Sequence, residues 1–221
     1  MVGSLIFLPH CARFDIASSV TQVATYMGKP TTHHLAAVKP IFRYLVDTPG
    51  LSTIYSPSKH NLDLKGFCGS SYGNSGTTEG KMRSTTGTMV FLANGLIHFS
   101  SSPHWITATS KTEAELVALA RGGKFGTYLL NLLRDLGWSS IRPSTIFSDS
   151  QRALHLSSNF NYGSTSKHLA IIFYNLKRPT NNDHPMIHHF STKGQHSDIL
   201  AKYCERTTHR TLLKAVGEFE K

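Results

Sequence analysis

Three short stretches place carboxylates where reacting groups collect. The first is Thr145-Ile-Phe-Ser-Asp149-Ser-Gln-Arg-Ala-Leu154, a brief apolar run that ends in Asp149 and passes at once into a helix-compatible segment. In an open α/β sheet, reacting groups gather beyond the carboxyl ends of strands, where the strand order reverses. The second stretch, Thr109-Ser-Lys-Thr-Glu-Ala-Glu-Leu116, holds Glu113 and Glu115, and the third, Ser191-Thr-Lys-Gly-Gln-His-Ser-Asp198, holds Asp198. If a strand end, a helix and a late helix bring Asp149, Glu115 and Asp198 together, they make an acidic, all-oxygen site. If the three scatter, an isolated Asp at a strand–helix junction is an ordinary helix cap. Glu113 and Glu115 stand roughly 200° apart around a helix axis, so both cannot reach one point. Glu113, three residues after Ser110, fits a capping box.

The elements that must position these residues follow from hydrophobic period. Residues 1–49 read as helical: Ile16, Val20, Val23 and Met27 form one stripe, and Leu35, Val38, Phe42 and Leu45 another, with a kink expected at Pro40. From Leu51 the period becomes two. Ser52–Ser56, Asp63–Cys68, Ser84–Leu92 and Leu96–Ser101 read as strands, with a tight hairpin at Ala93-Asn-Gly95 and a three-stranded antiparallel meander as the result. Residues 69–80, rich in Gly, Ser and Thr, read as a polar loop. Ser110–Gly137 is a long helix whose middle is weakened by Gly122, Gly123 and Gly126, so a break is expected there; Leu129, Leu132, Leu133 and Leu136 renew its apolar face. The strand Ser144–Ser148, a helix over Asp149–Ser157, a helix from Lys167 to Lys177, the strand Met186–Ser191 and a last helical region from Ser197, broken near Thr207, complete the chain. Three antiparallel strands, a helix, then strands alternating with helices is the element order of the ribonuclease H fold.

The totals narrow the class. A chain of 221 residues has room for an α/β domain and a smaller unit. Lys and Arg number 23 against 13 Asp and Glu, and the pI is about 9.7, a balance that suits a polyanionic partner such as nucleic acid. Lys81, Arg83, Lys111, Lys167, Lys177 and Arg178 are candidate phosphate contacts. The 13 histidines lack metal-site spacing with cysteine, so zinc is not expected. Three widely separated cysteines, Cys11, Cys68 and Cys204, suit a reducing, intracellular compartment. No apolar run reaches the roughly 20 residues that cross a bilayer. The first residues lack the basic region of a signal peptide and read as the middle of a longer chain. Trp105, Trp138 and Phe173 read as core or fold-supporting rather than as a base-stacking platform.

Seven motifs in order resemble the C-terminal part of the Pol polyprotein of Ty1/copia retrotransposons, over nearly the whole length. Ala12-Arg-Phe-Asp-Ile16 is similar to that family's TRPDI, with Phe14 where proline is usual, and Arg43-Tyr-Leu45 with Thr48 to its RYLKGT. Arg83-Ser-Thr-Thr-Gly87 and Val90-Phe-Leu92 resemble RRSTSGYVFFL, Ser110–Leu116 resembles SSTEAEY, and Ser148–Ala153 resembles CDNQSA. Lys167-His-Leu169 is similar to KHI, and Thr192–Gln195 through Asp198–Lys202 to TKDQLADILTK. The resemblance implies the helical end of a reverse transcriptase region over residues 1–50. It implies an α/β, ribonuclease H-like domain over 51–221, with a mixed five-stranded sheet flanked by helices. A polymerase domain would lie upstream.

The resemblance also implies an activity: hydrolysis of the RNA strand of an RNA–DNA hybrid by four carboxylates holding two Mg²⁺ (or Mn²⁺) ions, which prefer oxygen ligands and clamp the attacking and leaving oxygens. Carried onto this chain, Glu115, Asp149 and Asp198 are the catalytic, metal-binding second, third and fourth carboxylates. The first is missing. Where the family has GYSDADWAG, this chain has Gly66-Phe-Cys-Gly-Ser-Ser-Tyr-Gly-Asn74, with Gly69 in place of the catalytic Asp and Ser71 in place of the next. Asp63, six residues upstream, is roughly 20 Å away along a strand and cannot substitute, and Glu79 would have to fold back over the loop. The Asp after KHI is also replaced, by Ala170. Metal binding is therefore expected to be weak, and the domain either an impaired nuclease or a catalytically inactive remnant, a nucleic-acid-binding module or a relic with no role. No membrane association is expected.

Overall fold

The computed structural model describes residues 1–55, 62–75, 82–138, 144–158 and 185–219. The helix expected from Lys167 to Lys177, the loop residue Glu79, and the basic residues Lys81, Lys167, Lys177 and Arg178 lie outside the described residues, as do Ala170 and Phe173.

The sheet is mixed and five-stranded, in the order β4-β3-β2-β5-β6. Its strands are β2 (Leu64–Ser75), β3 (Arg83–Leu92), β4 (Gly95–Pro103), β5 (Thr145–Ser148) and β6 (Met186–His189). β2, β3 and β4 form the antiparallel meander; β5 joins β2 in parallel and β6 joins β5 in parallel. The strand order reverses between β2 and β5, the place where such sheets take ligands. This is the ribonuclease H-like sheet that the order of periods predicts. The β3–β4 hairpin turns on Ala93 and Asn94, both at positive φ (49° and 66°), with Leu92 paired to Gly95. The tight turn therefore sits one residue earlier than an Asn-Gly pair suggests.

Two readings of the sheet change. Residues 69–75, expected in a loop, continue β2, and Gly69 pairs with Gly87 in mid-strand. Their Gly, Ser and Asn content is poor in strand propensity, but Ser70 and the facing Thr85, Thr86 and Thr88 are buried and the ladder with β3 holds Gly69 to Ser71 extended, up to an irregularity between Ser71 and Ser75. Ser52–Ser56 shrinks to β1 (Ser52–Thr53), which stays out of the main sheet and pairs with β7 (Glu218–Phe219).

Helices cover both faces. On one lies α4 (Lys111–Asp135), and on the other the short α6 (Asp198–Ala201) and α7 (Arg206–Val216); α5 (Gln151–Ser158) follows β5. The break in the last helical region falls at residues 202–205, before Thr207. Side-chain alternation along β2 divides the core. Phe67 joins Met89, Phe91, Leu200 and Leu213 under α6 and α7, and Cys68 joins Leu116, Leu119 and Ile146 under α4.

α4 is continuous, against the break expected at its glycines. A Cβ at Gly122 would lie 2.0 Å from Cys68 Sγ, and one at Gly126 would lie 2.6 Å from Ser144 Oγ. The glycines lower the helix onto the sheet, and that packing outweighs their poor propensity of about 1 kcal/mol each. The buried stripe runs Leu116, Leu119, Gly123, Gly126, Leu130, Leu133. Leu132 and Leu136, expected on the apolar face, are one step off this stripe and exposed.

The first 50 residues form α1 (Val2–Cys11), a 3₁₀ turn (Phe14–Ile16), α2 (Ala17–Ala24) and α3 (Thr32–Asp47), which runs unbroken through Pro40. Leu5, Ile16, Val20, Val38 and Ile41 make a small core of their own. Met27 and Leu35, expected on apolar stripes, are exposed. Phe14 faces the sheet instead: it is fully buried and its ring lies 5.7 Å from that of Phe99.

Candidate functional site

β2 and β5 run parallel with Phe67 opposite Phe147. Two residues on from this pair come Gly69, still in β2, and Asp149, just past the end of β5 at the switch point. Asp149 follows the last residue of β5, as the apolar run before it predicts. Gly69 offers no side chain. A Cβ built at Gly69 would point at α6: 2.9 Å from Ser197 Oγ, 3.5 Å from Asp198 Oδ1 and 3.7 Å from Gln195 Nε2. The position that carries a carboxylate in the copia-type motif therefore faces Asp198 directly.

α6 is held there by two contacts that sequence reasoning did not single out. Fully buried Gln195 donates from Nε2 to the Cys68 carbonyl at 2.7 Å, tying the start of the turn to β2. Gly87 in β3 lets α6 touch the sheet, since a Cβ there would lie 2.4 Å from the Ser197 carbonyl oxygen and 2.9 Å from Leu200 Cβ.

Glu115 comes from the other face. Ser110 caps α4 by accepting from the Glu113 N–H at 3.1 Å, while the Glu113 carboxylate accepts from the Thr109 N–H at 2.7 Å and its hydroxyl at 2.6 Å. Glu113 is thus the cap and Glu115 is left to face β2, where Oε2 accepts from the Ser70 N–H at 3.2 Å. Burial pushes the Glu115 carboxyl up to about 7, the Asp149 carboxylate pushes the same way, and Ser70, Lys202 and Lys111 oppose them. Asp198 is likewise raised, by burial and, less, by Asp149, with Lys202 and Lys111 pulling it back.

Lys202 is a participant that the motif reading passed over. It lies four residues after Asp198, the spacing at which an acid and a base meet on one helical face. Its ammonium is 2.8 Å from Asp198 Oδ1. Burial lowers the Lys202 pKa, but Asp198, Asp149 and Glu115 together raise it above its ordinary value. The fields of all three carboxylates thus converge on one ammonium.

This donor set does not fit a pair of divalent cations as it stands. Gly69 supplies no oxygen, Asp198 is ion-paired to Lys202, and Glu115 is buried and engaged by the Ser70 N–H. Among the described residues, no three His, Cys, Asp or Glu side chains are grouped to hold a metal ion. Glu115, Asp149 and Asp198 share one electrostatic neighbourhood around Lys202 without forming a closed cage.

The chain is 30% identical over 217 residues, 98% of its length, to the retrovirus-related Pol polyprotein from transposon RE1 of Arabidopsis thaliana. It belongs to the copia-type Pol polyprotein family. The Pol polyprotein from transposon TNT 1-94 of Nicotiana tabacum matches equally, at 30% identity over 98% of the chain. The chain spans only 14% and 16% of these two relatives' own lengths. No protein-family model matches it. Among solved structures, LC11-RNase H1 in complex with RNA/DNA hybrid aligns with 62% of this copia-type chain and 93% of its own, at 14% identity and a TM-score of 0.44. The ribonuclease H-like fold rests on the strand order and directions themselves. The three cysteines are free thiols, and no described helix is long and apolar enough to cross a membrane.

Proposed function

We propose that this copia-type segment comprises the end of a reverse transcriptase region, residues 1–50, and a ribonuclease H-like domain, residues 51–221. The domain engages RNA–DNA hybrid across the β2–β5 switch point and hydrolyses it weakly or not at all. The observation that carries this reading is Gly69 facing Asp198 where the copia-type motif has a carboxylate. With that oxygen donor gone and the Lys202 ammonium paired to Asp198, Mg²⁺ or Mn²⁺ would be held weakly, if held, by Glu115, Asp149 and Asp198. Loss of one carboxylate removes negative charge where two cations would have to sit close together, and this disfavours the doubly loaded state most. Hybrid binding is supported by the basic balance of the chain and by Lys111 beside the acidic group.

The test is a hybrid-cleavage assay with Mg²⁺ or Mn²⁺ on the wild type and on Gly69→Asp. The wild type is expected to show no cleavage above background, and turnover of about 1 s⁻¹ or faster would overturn the proposal. The new Cβ itself is accommodated if the Ser197 hydroxyl, which makes no hydrogen bond among the described residues, swings away from it. Cleavage gained by Gly69→Asp marks the other three carboxylates as poised. A silent variant that still binds hybrid favours the second reading, an inactive nucleic-acid-binding remnant.

A further inference from the structure

A cleft of about 1170 Å³ lies between the N-terminal helices and α7, outside the acidic site. One wall is α7, whose Arg206, Arg210 and Lys214 recur every four residues and so line one face, about 6 Å apart along the axis. All three are exposed, and none makes an ion pair among the described residues. The carboxylates in the lining do not cancel them. Asp15 is held by Arg13 Nη2 at 2.8 Å and its side chain is shut off from solvent; Asp47 is exposed but stands alone against three cations. Tyr203, 91% exposed, also lines the cleft, three residues before Arg206. It follows directly on Lys202, the partner of Asp198, so one end of the cleft lining is a single residue along the chain from the acidic group.

We propose that this cleft is a second nucleic-acid site, which takes the phosphodiester backbone of a single strand continuing beyond the acidic group. Arg206, Arg210 and Lys214 contact successive phosphates, and the Tyr203 ring stacks on a base. A row of cations that make no ion pair among the described residues, with an exposed aromatic in the same lining, is the combination that grips single strands without reading sequence. An acidic peptide would meet the same cations but has no use for an exposed ring beside a site of carboxylates. The inference rests on the nucleic-acid reading above and adds to it a place and a strand form.

The experiment measures fluorescence anisotropy of a 12-nucleotide single-stranded DNA and of an RNA–DNA hybrid of equal length. It compares the full chain with Arg206→Gln/Arg210→Gln/Lys214→Gln across a salt series. For the single strand, the triple variant should lose at least tenfold in affinity at low salt. Its log–log salt slope should shrink by about 2, the share of three phosphate contacts. Tyr203→Ala should weaken binding and leave the slope unchanged, and Arg206→Lys/Arg210→Lys should keep it, which separates lost charge from lost folding. If the wild type binds with a steep salt slope and the triple variant equals it, the cleft inference is wrong and the hybrid reading stands. If the wild type binds nothing salt-sensitively, both fall. Equal losses for strand and hybrid, or displacement of the strand by poly-glutamate at matched charge, would overturn the single-strand assignment.

Discussion

Glu115 is the residue whose surroundings ask the most of its chemistry. Its carboxyl, raised to about 7 from 4.5 by burial first and by Asp149 second, keeps in the native state a proton that the unfolded chain has released. The stability this confers is complete below pH 4.5 and lost as pH rises through 7. Glu115→Gln keeps an oxygen for the Ser70 N–H and removes the titration. The stability of the variant relative to wild type should therefore rise by about 3 kcal/mol between pH 4.5 and 8, the size of a 2.5-unit shift; a pH-independent difference in denaturant midpoints would refute this. His104 works in the opposite direction. It is buried, its Nε2 lies 2.6 Å from Thr86 Oγ1, and its pKa is lowered to about 4 by burial and then by Arg121, with Glu113 opposing. Its contribution is whole above pH 6.5 and disappears as pH falls through 4, so Glu115→Gln should show unmasked acid destabilisation over that window in thermal melts.

At the scale of elements, the close seat of α4 on the sheet is what brings Glu115 to Ser70. Gly122→Ala adds a Cβ 2.0 Å from Cys68 Sγ. Overpacking of this kind costs roughly 1–3 kcal/mol, against about 1 kcal/mol of helix propensity gained. The variant should be less stable than wild type by chemical denaturation, and Cys68→Ala in the same chain should restore most of the loss because it removes the obstructing sulfur. A stable Gly122→Ala would mean that α4 does not lie where described. The same element shows why the break expected in its middle does not occur: propensity counts the glycines as weak points, whereas the sheet beneath them excludes any larger residue.

At the scale of the whole molecule, the N-terminal helices are clamped onto the domain. Within the unit, Arg13 ties Asp15 to the Thr48 carbonyl at 3.0 Å and the Thr48 hydroxyl at 2.8 Å and stacks over the Tyr44 ring; the contacts to the domain are made by other residues. Thr21 Oγ1 donates to the Ser101 carbonyl at 3.2 Å, and His209 Nε2 meets the Asp15 carbonyl oxygen at 3.2 Å. Phe14 enters the main core. Phe14→Ala should therefore cost about 3–5 kcal/mol, the cost of truncating a fully buried phenylalanine. Residues 51–221 expressed alone should melt well below the full chain, since they expose the seat of that ring. Equal melting temperatures would show that the helical unit is an independent appendage.

Much of this was legible along the chain. Hydrophobic period, turn residues and the order of short motifs determined the elements, the ribonuclease H-like sheet and the copia-type family. The same information pointed to Glu115, Asp149 and Asp198, because each lies within a few residues of the pattern that marks it. What it could not determine were contacts between distant segments. The Gln195 clamp on Cys68 spans 127 residues, the cleft joins α3 to α7, and β2 persists through glycine and serine only because β3 holds it. Whether the carboxylates cage a metal or surround an ammonium depends on where α6 lands on the sheet. That is decided by Gly87, Gln195 and Leu200 packing together in three dimensions, which no local period encodes.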